Sequence, residues 1–74
     1  MPKSFRSISG KEMVGFLKKI GFLKVSQKGS HIKMKKHIQK EAIIVIVPNH
    51  KEIRPGTLRN ILKMIGISPE ELNN

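Results

Sequence analysis

His31 is the residue of this chain best placed to do chemistry. It follows Gly29-Ser30 and precedes Lys33, Lys35 and His37 at alternating positions. In a strand, alternate side chains share a face. His31, Lys33, Lys35 and His37 then line one side, and Ile32, Met34 and Ile38 the other, with Lys36 as the break in that apolar row. An imidazole changes charge near neutral pH, so among fixed cations it suits proton transfer beside a phosphate. RNA supplies its own nucleophile for such a reaction, the 2′-OH, whose oxygen attacks the adjacent phosphorus once its proton is removed. Lysines can stabilise the charge that develops on the phosphoryl oxygens. The expectation is His31 as general base, with Lys28, Lys33 and Lys35 near the phosphate. The plainer alternative is a polar strand residue facing solvent.

The remaining histidines do not complete a second kind of centre. His37 shares the face of His31 but lies about 20 Å along the strand, at roughly 3.3 Å per residue. His50 has no spacing relation to either. The chain has no cysteine and no aspartate, so neither a metal site nor a serine-hydrolase triad is expected. No glycine loop of the nucleotide-cradling kind occurs, and no cofactor is expected. Gly56-Thr57-Leu58-Arg59 has two readings, a phosphate-binding helix start or an ordinary helix beginning after Pro55 with Leu58 in the core.

Charge narrows the partner. The chain carries 15 basic and 5 acidic residues, a net charge of +10. Residues 1–40 hold 11 of the basic residues and one acid, Glu12, whereas residues 41–74 are balanced. A polyanion is the natural partner of such a distribution, and nucleic acid is the leading candidate. The alternative is a basic surface that serves solubility. With no tryptophan or tyrosine and three phenylalanines, the chain is poorly supplied for stacking on bases. At 74 residues it is read as one domain, 1–74. It has no apolar stretch long enough for a membrane span or signal peptide, which points to a cytoplasmic protein without a membrane partner.

The elements that must position His31 follow from periodicity. Ser9 and Glu12 have capping-box spacing, and Met13, Val14, Phe16, Leu17 and Ile20 follow at helical intervals, giving a helix over 10–20 stopped by Gly21. Residues 22–28 read as a strand. Gly29-Ser30 is a two-residue turn with glycine in its first position. Residues 31–38 form a second strand and Gln39-Lys40 a second turn. Ala42–Val47 is an unbroken β-branched run ended by Pro48. Residues 48–55 read as a polar loop. A second amphipathic helix runs over 57–65, with Leu58, Ile61, Leu62 and Ile65 on one face and Gly66 closing it. Ser68-Pro69-Glu70-Glu71 starts a last helical turn near Leu72. The architecture expected is an α+β two-layer sandwich, α-β-β-β-α, with a three-stranded antiparallel sheet and a short C-terminal helical turn.

Three segments in order carry a family resemblance: Lys28-Gly29-Ser30-His31, Val47-Pro48-Asn49-His50, and the run from Pro55 through Gly56-Thr57-Leu58-Arg59-Asn60-Ile61-Leu62-Lys63 to Gly66-Ile67-Ser68. Together they resemble the HicA toxins of HicA–HicB toxin–antitoxin modules, the YcfA-like mRNA interferases, over nearly the whole chain. The resemblance implies a fold like a double-stranded-RNA-binding domain. It implies a toxin of a type II system that cleaves mRNA independently of the ribosome. The histidine of the Gly-Ser-His motif is its essential residue, here His31, placed by Gly29 and Ser30. It also implies a HicB-type antitoxin that covers the active face. Many relatives carry a second histidine or an aromatic after the motif histidine, where this chain has Ile32.

The run 42–47 is apolar on both faces. One face packs on helices and the other requires cover, either from the chain's own ends or, as favoured here, from a protein partner. Two further functions fit parts of the pattern. One is a non-catalytic double-stranded-RNA-binding domain using the same basic face. The other is an interaction module that docks through the apolar strand.

Overall fold

Two capping boxes and three glycine turns, at Gly21, Gly29 and Gly66, set the frame of this computed structural model, which describes residues 7–73. The elements are α1 (Gly10–Lys19), β1 (Leu23–Lys28), β2 (His31–Ile38), β3 (Glu41–Pro48), α2 (Pro55–Ile65) and α3 (Pro69–Asn73). Ser9 Oγ accepts the Glu12 amide at 3.0 Å, and Glu12 Oε1 accepts the Ser9 amide at 2.9 Å, which satisfies two donors at the α1 start. Ser68 and Glu71 repeat the arrangement ahead of α3. α1 ends one residue earlier than its periodicity implies, with Ile20 as its cap and Gly21 at φ +106° turning the chain toward the sheet. α2 starts two residues earlier, because Pro55 itself occupies the first turn, where a missing N–H costs nothing.

The sheet has the order β1-β2-β3, and both pairings are antiparallel. Helix, three strands, helix and a short terminal helix form an α+β fold with an open three-stranded sheet, as the sequence pattern implies. The β2–β3 register runs unbroken from His31 opposite Pro48 to Ile38 opposite Glu41. The β1–β2 register shifts between Lys24 and Ser26, a bulge at Val25.

The helices cover one face of the sheet. Ile32 and Met34 of β2 and Val45 and Val47 of β3 are buried with Met13 and Leu17 of α1 and Leu58, Ile61 and Leu62 of α2. Phe22, just before β1, is buried too. Two expectations, on the loop after β3 and on Ile38, need correction. The loop after β3 is not wholly polar, because Ile53 is buried and its amide donates to the Ile8 carbonyl at 2.8 Å. Ile8 likewise joins the core from ahead of α1. Ile38 has the core-facing parity but is exposed, because β2 is at most half-buried beyond Met34. Lys36, the break in the apolar row, is half-buried. Its stem reaches Gly21, and its ammonium sits 6.0 Å from the centre of the Phe22 ring.

β3 confirms its two-sided character. Val45 and Val47 face the core, while Ile44 and Ile46 on the other side are 42% and 46% exposed. The chain's own described residues therefore leave that outer face open.

Candidate functional site

The outer face of the sheet carries the candidate site residues. Gly29 has φ +60° and Ser30 has no positive φ, the pattern of a type II′ turn, whose twist matches that of the strands. Three hydrogen bonds hold this turn and its approach. Gln27 Nε2 donates to the Gly29 carbonyl at 3.1 Å, and Lys24 Nζ donates to Gln27 Oε1 at 2.9 Å. Just after β3, the Asn49 amide donates to the Ser30 carbonyl at 2.6 Å. The residue immediately ahead of His31 is thus fixed by the segment that leaves β3.

That segment is fixed in turn by α1. The Gly10 amide donates to the His50 carbonyl at 2.8 Å. A Cβ on Gly10 would run into the Pro48 carbonyl oxygen and lie 2.8 Å from Asn49 Cα. Only a residue without a side chain lets the helix start approach this closely. A continuous set of backbone contacts therefore connects the N-terminus of α1, the exit of β3 and the turn that presents His31.

Cross-strand pairing arranges the outer face in rows. His31 stands between Lys28 and Pro48, Lys33 between Ser26 and Ile46, and Lys35 between Leu23 and Ile44. Partners in such rows have Cβ atoms about 4.5–5.5 Å apart. The first two rows frame a shallow depression lined by Ser26, Lys28, His31, Lys33 and Ile46. His31, Lys28 and Lys33 are exposed there. The structure thus brings three of the sequence-identified residues, Lys28, His31 and Lys33, into one concavity, and Gly29 and Ser30 form the turn between Lys28 and His31. Lys35 lies one row beyond and is half-buried. His37 lies at the far end of the face, opposite Ala42. His50 lies past the end of β3, two residues from Pro48.

Ser26 and Ile46 escaped the sequence reading. Strict alternation back from Lys28 places Ser26 and then Lys24 on the outer face. The bulge at Val25 keeps Ser26 there but pairs Lys24 with Met34, whose row faces the helices, and puts Leu23 opposite Lys35. Ile46 was legible only as half of an apolar run, since its neighbours are set by the register of β3 against β2.

Chemically, the depression offers one solvent-exposed imidazole, with one lysine across the strand from it and a second two residues along its own strand. No group of three or more His, Cys, Asp or Glu side chains able to hold a metal ion exists among the described residues. Nor is any helix among them long and apolar enough to cross a membrane. At the start of α2, Pro55 occupies the first turn and Leu58 is buried in the core, as the ordinary helix start requires.

A family model for the HicA toxin of bacterial toxin–antitoxin systems matches residues 10–67, from the first residue of α1 to just beyond α2. No curated protein matches the chain.

Proposed function

This chain belongs to the HicA toxin family, and from that premise we propose that it is a metal-independent endoribonuclease that cleaves mRNA. His31 removes the proton from a ribose 2′-OH. The 2′ oxygen attacks the adjacent phosphorus, the bond to the 5′ oxygen of the next nucleotide breaks, and that oxygen leaves with a proton from solvent. The products are a 2′,3′-cyclic phosphate and a 5′-OH end. Lys28 and Lys33 offset the charge on the phosphoryl oxygens, and Lys35 extends the basic track along the backbone. Gly29 and Ser30 present the imidazole, and their backbone lies beside the substrate. The domain is read as 1–74 and its place of action as the cytoplasm, where mRNA is found.

One observation carries this reading. Cross-strand pairing sets Lys28 beside His31, and both line one open concavity with Lys33. A toxin also requires a neutralising partner. We propose a HicB-type antitoxin whose acidic groups complement Lys28, Lys33 and Lys35 and whose bulk shields His31.

The test is incubation of a defined mRNA with the wild-type protein and with His31→Ala, in the presence of chelator. Cleavage by the wild type alone, leaving 2′,3′-cyclic phosphate ends, is the expected result. Equal cleavage by a folded His31→Ala protein removes His31 from the mechanism. RNA binding without cleavage by either protein favours a non-catalytic double-stranded-RNA-binding domain.

A further inference from the structure

The outer face contains more than the depression around His31. Its three strands contribute three kinds of column. β1 supplies Lys28, Ser26 and, beside Lys35, the exposed Leu23, β2 supplies His31, Lys33 and Lys35, and β3 supplies Pro48, Ile46 and Ile44. Along β2 and β3 the columns are in continuous register, so each basic residue of β2 has an apolar residue of β3 directly beside it. Ile44 and Ile46 are large and nearly half exposed, although neither is needed by the core.

Each row thus pairs one cation with one apolar surface, and the pairing repeats every second residue, at roughly 6.6 Å along the strand. A single strand of nucleic acid has the complementary repeat, one phosphate and one flat base per nucleotide. A paired duplex does not, because its bases are stacked inside and only phosphates and groove edges meet a shallow surface.

We propose that Ile46 and Ile44 form a base-binding track for single-stranded RNA. The backbone of the strand follows His31, Lys33 and Lys35, and the two bases beyond the scissile phosphate lie on Ile46 and Ile44. This inference rests on the reading of the outer face as an RNA site and adds to it the strandedness of the substrate and the residues that contact its bases. Base contact here is with aliphatic side chains, so the track tolerates any base and contributes affinity more than sequence choice.

Binding measurements on the His31→Ala protein test the track without loss of substrate. The probes are a defined single-stranded RNA, the same RNA paired to its complement, and a strand of equal length in which the nucleotides are abasic. The second protein carries Ile44→Thr and Ile46→Thr on the same background, substitutions that keep β-branching at exposed positions. The expected result is preference for the single strand over the duplex, and affinity for it about five- to tenfold weaker in the threonine variant. The abasic strand is expected to bind both proteins alike. Equal affinity of the two proteins for the base-bearing strand overturns the proposal. So does equal affinity of the parent protein for base-bearing and abasic strands, which would mean that phosphates alone are held.

The wild-type cleavage assay separates this result from the nuclease reading. Cleavage by the wild type together with an unaffected threonine variant rejects the track and keeps the nuclease. The expected binding pattern without wild-type cleavage keeps the track and rejects the nuclease. Where cleavage occurs, abasic nucleotides on one side of the scissile bond should slow it and those on the other side should not.

Discussion

The two faces of this sheet are built from the same three strands and put to opposite uses. On the inner face, Ile32, Met34, Val45 and Val47 lie under two helices and are almost fully buried. On the outer face, Lys33, Ile44 and Ile46 alternate with them residue by residue and stay open to solvent. Strand geometry gives neighbours in sequence opposite surroundings, so a shift of one residue in register would exchange the core for the site. The contrast teaches where substitutions should be silent. An inner-face change should move stability and leave the chemistry of surviving folded protein alone. An outer-face change should do the reverse.

The largest effect expected is on the outer face. His31→Ala should lower the cleavage rate by roughly 10²–10⁴-fold. Its thermal midpoint should stay near that of the wild type, because the side chain is exposed. A cooperative loss of fold on this substitution would break the comparison. On the inner face, Met34→Ala removes a fully buried side chain and should cost about 2–5 kcal/mol, read by denaturant unfolding. Its folded fraction should cleave at the wild-type rate.

Gly10 sharpens the comparison because it belongs to neither face, yet it connects them. Gly10→Ala forces α1 away from the Pro48–Asn49 backbone. A cost of about 1–3 kcal/mol is expected from the overpacking. Because Asn49 also holds the Ser30 carbonyl, cleavage by the remaining folded protein should fall as well. A stability loss with unchanged cleavage would show that the helix start does not position the turn.

The smallest effects concern the two hairpin turns, which lie at opposite ends of β2. Gly29 has φ +60° and Gln39 has φ +56°. Glycine adopts such angles freely, whereas a side chain at the Gln39 position is strained by about 1 kcal/mol. Gln39→Gly should therefore raise unfolding stability by a few tenths of a kcal/mol, after the entropic cost of glycine in the unfolded chain. Gly29→Ala should lower it by about 1 kcal/mol and also disturb His31 presentation. Equal and opposite shifts without any change in cleavage would remove the special role given to the first turn.

Much of the fold was legible because its signals are local. Ser9 with Glu12, Gly21, Gly29-Ser30, Gly66 and Ser68 with Glu71 each set a boundary through contacts within a few residues. The two faces of β2 followed from alternation alone, which placed His31, Lys33 and Lys35 together before any neighbour was known. Ile8 and Ile53 were not legible as core, because a single apolar residue in an irregular segment has no period to betray it. The bulge at Val25 was likewise silent, since one extra residue leaves no mark on so short and loosely alternating a strand.

By itself, the sequence determined the element order, the basic outer side of β2 and the histidine at its head, because each depends on spacing along the chain. Tertiary structure alone decided what stands beside that histidine. Pairing across strands brought Lys28 and Pro48 to His31 and set Ile46 next to Lys33. The approach of α1 to the end of β3, possible only at Gly10, fixed the backbone that holds the turn. These contacts join residues far apart in the chain, and the register and packing that create them are properties of the whole sheet and its helices.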